Sequence, residues 1–370
     1  MNRKGKIYYR CADPKSPYIG GVKVMYEHVD ILNRHEFDAY ILHDRKGFRS
    51  EWFDNDTKIT YVRDIKLNPQ DFLVFPEVNG KYYVNIKKYS QHHRIFTLKF
   101  KSLARELISN YINPNKKPQP QKVFMQLFST PAKKVIFNQG CYLTFDGLPI
   151  NNDRLITMYN DKDIAAIIVV SEDSKNYLRY TFPKMRIFRV HNSFNTDLFF
   201  FQAEKKKQIC FRPWRNFHDA VQVINILKQR HALDGFKFFP IENMPQVQLA
   251  EIMRESLIYL SFGYHEGFSL PSAEAMACGC IVIGYHGRGG KEYFDPQFCY
   301  PVDTGDVISF AKTIESVVTQ YRMDPSILIE KGLMASKYIT ETYSHERQTQ
   351  DVLETWREIF ACGLNKSRLD

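Results

Sequence analysis

Long apolar runs, paired cysteines and an apolar leader are all missing from this 370-residue chain. No run of eighteen apolar residues occurs, so no transmembrane helix is predicted. The first residues, Met1 to Lys6, are polar and lead into a predicted strand, so no signal peptide is expected. The seven cysteines include no C-x-x-C pair, which argues against a disulfide framework or a zinc site. These absences favour folding in a reducing cytoplasm.

Acidic residues are scarce in the first half of the chain. Residues 1–196 hold 32 Lys and Arg against 19 Asp and Glu, whereas residues 197–370 hold 19 against 22. Within residues 81–134 there are 12 basic residues and one acid, Glu106. This bias indicates an anionic partner, either nucleic acid or an anionic membrane surface, or else a basic face that is merely solvated.

The segment 113–122 is rich in Pro and charge and is predicted to be a solvated loop or lid. The apolar residues that follow it, Phe124, Met125, Leu127 and Phe128, have two interpretations. They form one side of an amphipathic helix, or they dock with the neighbouring lysines on a lipid headgroup layer.

Length and alternation predict an α/β protein of two domains. A chain of 370 residues exceeds what a single core usually accommodates. Strands are predicted at 6–9, 39–43, 58–62, 71–76, 94–100, 134–137, 164–170, 208–211, 236–239, 257–260, 280–283 and 298–302. Helical patterns separate many of them, including 103–111 and 291–294, and this alternation is typical of parallel sheets. Gly20 and Gly21 form a predicted turn before a helix at 22–33, as in the phosphate-binding unit of a Rossmann fold.

The most informative stretch is 257–290, which predicts strand, loop, helix, strand and Gly-rich loop. Glu266 falls in the first predicted loop, and Glu274 lies about one turn into a helix that begins near Pro271. Main-chain N–H groups at the helix N-terminus suit a diphosphate. Those groups belong to Gly267, Phe268, Ser269 and Leu270. Ionised carboxylates bind hydroxyls, so the combination predicts a nucleotide sugar. Taken as spacing alone, two unrelated surface glutamates that flank an ordinary helix start would be the better interpretation.

The letters around this pair carry a family resemblance. Residues 266–271 read Glu-Gly-Phe-Ser-Leu-Pro and residues 273–280 read Ala-Glu-Ala-Met-Ala-Cys-Gly-Cys. This resembles the signature of the retaining glycosyltransferases of family 4, which have the GT-B architecture of two Rossmann-like domains facing a central cleft. The resemblance implies that Glu266 binds donor sugar hydroxyls and Glu274 the ribose. It also implies that Gly20 and Gly21 approach the donor diphosphate.

Further positions correspond to family positions, but some of them carry a different residue type. Arg212 follows a strand as the family's Arg does, and Arg215 stands in for its Lys; both would reach the diphosphate. This form resembles the bacterial polysaccharide rhamnosyltransferase branch. Gln139 occupies the place of the His that many relatives carry on the acceptor side. A Gln can orient a hydroxyl or a sugar but cannot act as a general base.

The resemblance also sets an expected domain plan. Residues 1–195 form an N-terminal acceptor-side domain and residues 196–344 a C-terminal nucleotide-sugar-binding domain, with a helix at 345–362 packing back on the first. No Asp-x-Asp motif comes directly after a predicted strand. The diphosphate charge would therefore be met by Arg212, Arg215 and helix N–H groups, and neither a metal nor a cofactor is expected.

The sequence thus predicts a glycosyltransferase that acts with retention in surface polysaccharide synthesis. Its partners would be a nucleotide sugar and a glycan or lipid-linked glycan. It would be cytoplasmic, with peripheral contact to the inner membrane through residues 81–134, and nucleic acid is not expected. Two alternatives stay open: a catalytically degenerate GT-B scaffold or anionic-surface binding protein, and a nucleotide-sugar epimerase of the same fold.

Overall fold

A computed structural model of the chain describes residues 5–11, 13, 19–83, 119–148, 150, 157–213 and 215–365. The predicted strand at 94–100 and helix at 103–111 lie outside these residues, as does most of the basic segment 81–134. The chain forms two compact units. The N-terminal unit comprises residues 1–169, 178–188 and 355–370, and the C-terminal unit comprises residues 170–177 and 189–354.

The N-terminal unit is built on a seven-stranded sheet. Its strands are β1 (Ile7–Cys11), β2 (Ala39–His43), β3 (Ile59–Tyr61), β4 (Phe72–Pro76), β5 (Lys133–Asn138), β6 (Ile164–Val169) and β7 (Ile187–Arg189). They lie in the order β3-β2-β1-β4-β5-β6-β7, and the pairings from β3 through to β6 are parallel. The chain order reverses between β1 and β4, which is the strand order of a Rossmann fold.

The described helices of this unit include α1 (Gly20–Arg34) and α2 (Pro120–Phe128), and α3 (Glu172–Thr181) is divided between the two units, with residues 178–181 in this one. The predicted helical spacing of α1 is confirmed, because residues such as Met25 and Val29 are buried. In α2, the rings of Phe124 and Phe128 pack on Phe75 of β4 at centroid distances of 5.2 and 5.6 Å. The amphipathic helix is therefore the correct interpretation of this segment. Docking of these two aromatic side chains on lipid is wrong, since both are buried in the core.

The C-terminal unit is built on a five-stranded sheet. Its strands are β8 (Lys206–Phe211), β9 (Lys237–Pro240), β10 (Ser256–Glu266), β11 (Ile281–Arg288) and β12 (Tyr300–Pro301). They lie in the order β12-β11-β10-β8-β9, and all four pairings are parallel. Apolar side chains from neighbouring strands, among them Ile209, Ile258 and Ile281, are fully buried. Such continuous apolar runs are expected for strands of parallel sheets that are covered on both faces.

Helices surround this second sheet and connect it to the end of the chain. They are α4 (Phe217–Gln229), α5 (Gln246–Glu255), α6 (Leu270–Ala277), α7 (Val307–Met323), α8 (Pro325–Thr342) and α9 (His345–Asn365). The predicted α/β class with parallel strands is confirmed. No helix among the described residues is both long and apolar enough to cross a bilayer.

Helix α9 is divided between the two units. Its residues up to 354 belong to the C-terminal unit, and those from 355 onwards belong to the N-terminal unit. Trp356 is fully buried, and its indole N–H donates to the Tyr9 hydroxyl at 3.0 Å. The rings of Trp356 and Phe360 pack on Phe72 of β4, with centroid distances of 5.6 and 4.8 Å. These aromatic residues of α9 are therefore part of the core of the N-terminal unit.

Three local expectations were wrong. The Gly-rich segments predicted as loops are partly strand, because the β10–β11 ladder continues through Ser261 and Gly284, so Glu266 ends a strand. The helix predicted at 291–294 is a single 3-10 turn, Gly289–Glu292. Gly20 and Gly21 are the first residues of α1 rather than a turn before it.

Candidate active site

The candidate site lies where the strand order of the C-terminal sheet reverses, between β8 and β10. Ligands of open α/β sheets bind outside the carboxyl ends of the strands at such a point. β10 pairs with β8 as far as Leu260 and Phe211, and then continues beside β11 to Glu266. Arg212 follows the last residue of β8 directly. The fold therefore places Arg212 and Glu266 at the same edge of the sheet.

Glu266 forms an ion pair with Arg215. The Glu266 Oε1 and Arg215 Nε atoms are 3.6 Å apart, and the two side chains are 9% and 42% exposed. Because the guanidinium is half in solvent, this pair contributes little to folding stability, typically 0–1 kcal/mol. The pair matters instead for the geometry of the site, because it places a guanidinium beside a mostly buried carboxylate at the end of β10.

The buried Tyr259 of β10 lies within electrostatic reach of the other predicted site residues. Burial raises the pKa of the Tyr259 hydroxyl, the Arg212 guanidinium acts to lower it, and the carboxylates of Glu266 and Glu274 raise it further. These three charged side chains therefore lie within electrostatic reach of one buried side chain of β10. Glu274 itself is only 7% exposed in helix α6. The structure thus brings both predicted glutamates and both predicted arginines to one site.

The segment between the two glutamates is held by its main chain. The Tyr293 hydroxyl lies 2.7 Å from the Ser269 carbonyl oxygen and 3.1 Å from that of Phe268. Burial raises the pKa of the Tyr293 hydroxyl, and the charge of the Glu266 carboxylate raises it further. The Phe268 ring is buried between Tyr293 and Tyr343, at 5.2 and 4.8 Å. Phe268 can therefore offer a ligand its main chain but not its ring.

Helix α6 begins directly after this segment, with Leu270 as its first residue. Ser269 is the N-cap residue but makes no side-chain cap hydrogen bond, and no acidic residue occupies the first turn. Instead, the Ser269 hydroxyl contacts that of Ser272 at 3.1 Å. The first turn of α6 thus keeps the positive end of its dipole without an acidic side chain of its own, which suits an anionic ligand.

Backbone strain is concentrated around Glu266. Six non-glycine residues among those described have positive φ, and three of them lie at this edge: His265 (φ 48°), Ser269 (φ 64°) and Arg288 (φ 71°). Such conformations cost of order 1 kcal/mol or more each and persist where the surrounding structure imposes them. The main chain is closely packed here, since Gly289 lies against the main chain of Glu266 and Gly267.

In the N-terminal unit the predicted residues also come together. The Gln139 side-chain amide donates from Nε2 to the carbonyl oxygen of Gly21 at 3.0 Å, so the end of β5 contacts the start of α1. Gly20 is exposed beside it. All three lie at the carboxyl edge of the N-terminal sheet, close to the reversal of strand order between β1 and β4.

Sequence reasoning missed several residues of these two edges. Tyr259 lies inside an apolar run and Tyr293 in a predicted helix, so neither pattern marked them as part of a site. Glu77 and Arg10 are buried at the carboxyl edge of the N-terminal sheet. No group of three or more His, Cys, Asp or Glu side chains with metal-binding geometry occurs in the part of the chain that the structure describes. The arrangement provides two cations for a diphosphate and two carboxylates for hydroxyls.

Two solved structures share this architecture over nearly the whole chain. Sucrose-phosphate synthase from Thermosynechococcus elongatus superposes with a TM-score of 0.61 at 14% identity, covering 97% of this chain and 100% of that one. A variant of TarM from S. aureus, solved with fondaparinux, alpha-GlcNAc-glycerol and UDP, gives 0.62 at 13% identity, covering 96% and 99%. The chain therefore has the GT-B fold, and the predicted fold class is confirmed.

Sequence comparison adds the class of protein that the C-terminal unit is similar to. Residues 217–332 match the family model described as glycosyl transferases group 1, a range that includes Glu266 and Glu274. A curated relative, alpha-1,6-glucosyltransferase from Actinobacillus pleuropneumoniae serotype 7 (strain AP76), is 26% identical over 179 residues. That alignment covers 43% of this chain and 53% of the relative, so it spans about half the length of the curated protein.

Proposed function

We propose that the protein is a retaining glycosyltransferase of family 4, which transfers a sugar from a nucleotide-diphosphate donor to a glycan or a lipid-linked glycan. The observation that carries this proposal is the grouping of Glu266, Glu274, Arg212 and Arg215 where the C-terminal strand order reverses. The match of residues 217–332 to the group 1 glycosyl transferases supports the same activity. The Arg212 and Arg215 pattern favours the rhamnosyltransferase-like branch.

Each charged residue has a role that follows from its chemistry. Glu266 and Glu274 accept hydrogen bonds from the donor sugar hydroxyls and the ribose, because ionised carboxylates are acceptors only. Arg212 and Arg215 bind the diphosphate, for which a planar guanidinium offers two parallel donors. The main chain of Gly267, Phe268, Ser269 and Leu270 adds N–H groups at the start of α6. We propose that Gly20 and Gly21 approach the same diphosphate, and that Gln139 orients the acceptor.

In the proposed reaction, the bond between the sugar C1 and the phosphate oxygen breaks while the acceptor oxygen bonds to C1 on the same face. The acceptor proton passes to the departing phosphate oxygen, so no protein base is required. Negative charge grows on the departing diphosphate, and Arg212 and Arg215 stabilise it. Stabilisation of this kind is usually the largest catalytic contribution. The two arginines supply the positive charge that a metal provides elsewhere, so we propose a metal-independent enzyme.

A thermal-shift experiment tests the donor site. UDP, GDP, dTDP and their sugars are added to the wild-type protein and to Glu274→Ala in buffer that contains EDTA. One nucleotide at about 100 times its dissociation constant should stabilise the wild type by about 2.7 kcal/mol. UDP is tested first, because the TarM structure was solved with it. The response should be lost in Glu274→Ala, since the ribose partner has been removed.

A second variant and a ligand-free melt serve as controls for this test. Glu274→Gln keeps the volume of the buried side chain, so it separates loss of the carboxylate from loss of packing. A ligand-free melt of each variant reports whether the fold is intact. If no nucleotide stabilises the wild type, the degenerate scaffold becomes the better account of the chain.

We further propose that the enzyme acts in surface polysaccharide synthesis in the cytoplasm and contacts anionic lipid through the basic residues of 81–134. In a flotation experiment, the protein should rise with vesicles that contain phosphatidylglycerol but not with phosphatidylcholine vesicles. Binding should weaken as salt is added, because exposed charges are screened. Changing Lys116→Glu and Lys117→Glu together should reduce it. Equal flotation with both kinds of vesicle would remove the membrane proposal.

A further inference from the structure

A buried acid lies at the carboxyl edge of the N-terminal sheet, and the proposed reaction does not use it. Glu77 comes directly after Pro76, the last residue of β4, in a single 3-10 turn, Glu77–Asn79. β4 is the neighbour of β1 across the reversal of strand order in this sheet. Glu77 therefore occupies the same kind of position in the N-terminal unit that Glu266 occupies in the C-terminal unit.

Glu77 is joined to the predicted acceptor-side residue. Its carboxylate accepts a hydrogen bond from the main-chain N–H of Gln139. The side chain of Gln139 in turn donates to the Gly21 carbonyl oxygen at 3.0 Å. A chain of two hydrogen bonds thus runs from the end of β4, through the end of β5, to the start of α1. Glu77 fixes the main chain of the residue whose side chain faces α1.

The charge of this carboxylate has no compensating cation among the described residues. Glu77 is 6% exposed, and no Lys or Arg described in the structure forms an ion pair with it. Burial raises the pKa of the Glu77 carboxyl to about 7, although the Gln139 N–H acts to lower it. The carboxyl therefore changes its charge within the physiological pH range.

The described groups around Glu77 do not neutralise its carboxylate. The Tyr159 phenol faces it, and burial and then Glu77 raise the pKa of that phenol, which stays neutral. Cys141 is a buried thiol on the turn after β5. The Arg10 guanidinium forms an ion pair with Asp44 at 3.0 Å and donates to the side chain of Asn79.

A glutamine in this place would accept the same N–H without the cost of a buried charge. Burying a carboxylate costs free energy that a neutral amide would avoid, so its presence indicates a use for the charge. The contacts indicate one use, because an ionised carboxylate makes a stronger hydrogen bond to the Gln139 N–H than a neutral amide would. A hydrogen bond to an ionised carboxylate is about twice as strong as one between neutral groups.

We infer that Glu77 is a positioning residue for the acceptor side of the proposed glycosyltransferase, and that its ionised form holds the 138–141 turn, and with it Gln139, in the orientation that an acceptor hydroxyl requires. This inference rests on the proposed function. It predicts that use of the acceptor, but not binding of the donor, depends on the charge of residue 77.

The test compares wild type with Glu77→Gln between pH 5.5 and 9. Amide hydrogen exchange at 138–141 should be about tenfold faster in the variant at pH 8, because the charge-assisted bond has been weakened. With a panel of octyl glycosides as acceptors, the acceptor kcat/KM should fall by about tenfold, whereas the donor KM stays unchanged. Wild-type kcat/KM should rise with a midpoint near pH 7, and the variant should lack this rise.

Stability should change in the opposite direction. The native carboxyl holds its proton to a higher pH than an unfolded chain does, so wild-type stability falls as the pH rises from about 4.5 towards 7. Glu77→Gln should therefore melt at a higher temperature than wild type at pH 8, and the difference should shrink at pH 5.5. This measurement also shows that the variant is folded.

Asp30→Asn is the matched control. Asp30 is a half-buried acid of α1 that accepts a hydrogen bond from Thr57 at 2.7 Å, and burial raises its pKa as well. Its removal should leave exchange at 138–141 and acceptor kinetics unchanged. Glu77→Gln with wild-type exchange at 138–141, or with the wild-type pH profile, would overturn the inference. A wild type that transfers sugar to none of the acceptors would instead overturn the proposed function, and the acceptor role with it.

Discussion

Replacing Glu266 with alanine is expected to lower the rate of sugar transfer by at least about 100-fold while leaving the protein folded. Removal of one preorganised group from a reacting centre typically costs 10²- to 10³-fold in rate. The change also removes the carboxylate that pairs with Arg215 at 3.6 Å, so the guanidinium loses its partner beside the donor. The fold should survive, because the side chain lies at the end of a strand and its partner is half in solvent.

Turnover of radiolabelled nucleotide sugar measures this effect, and circular dichroism with a thermal melt measures the fold. Glu255→Ala is the matched control, since Glu255 is another acid of the same unit and pairs with Lys206 at 2.6 Å. It lies at the end of α5, away from the reversal of strand order, and should keep wild-type turnover. Near-normal turnover of Glu266→Ala would defeat the assignment of Glu266.

Replacing Gly289 with alanine should damage both stability and activity. A Cβ at this position would lie 2.1 Å from the carbonyl oxygen of Gly267 and 2.7 Å from that of Glu266. Both neighbours are main-chain atoms, so the two segments must move apart. Overpacking of this kind costs about 1–3 kcal/mol. The displaced atoms adjoin Glu266, so transfer should fall by about tenfold or more.

Urea unfolding and a transfer assay of the same preparation check this expectation. Gly305→Ala is its control: Gly305 has φ +88°, but a Cβ there would meet nothing within 4 Å. That substitution should cost about 1–2 kcal/mol of backbone strain and leave transfer unchanged. If both alanine variants lost activity equally, close packing of Gly289 against Gly267 would not explain the effect.

The core of the fold was predictable because apolar runs and turn residues are local signals. Runs such as Ile281-Val282-Ile283 and the helical spacing of α1 identified the parallel strands and a helix correctly. The ends of β10 and β11 were not predictable, since glycines and polar residues there suggest loops. They pair because Ser261 and Gly284 lie opposite each other in the ladder, which is a contact between distant residues.

The residues of the candidate site likewise divide into those that a local sequence pattern identifies and those that depend on distant contacts. The contiguous motif around Glu266 and Glu274 identified the two acids. The position directly after a predicted strand identified the arginines. Glu77 could not be identified, because an acid after a proline has the appearance of a surface residue. Its burial arises from β5 and from the turn that contains Cys141, about sixty residues further along the chain. Burial that depends on such distant packing leaves no local pattern.

Trp356 and Phe360 also set an order of events during protein synthesis. The first 169 residues supply most of the N-terminal unit, yet the aromatic side chains that cover Phe72 come from residues 355 onwards. On the ribosome, the contacts of Trp356 and Phe360 with Phe72 can form only after the C-terminal unit has been synthesised. A fragment that stops before residue 355 would lack these contacts. The N-terminal unit is therefore first in sequence but last to complete its core.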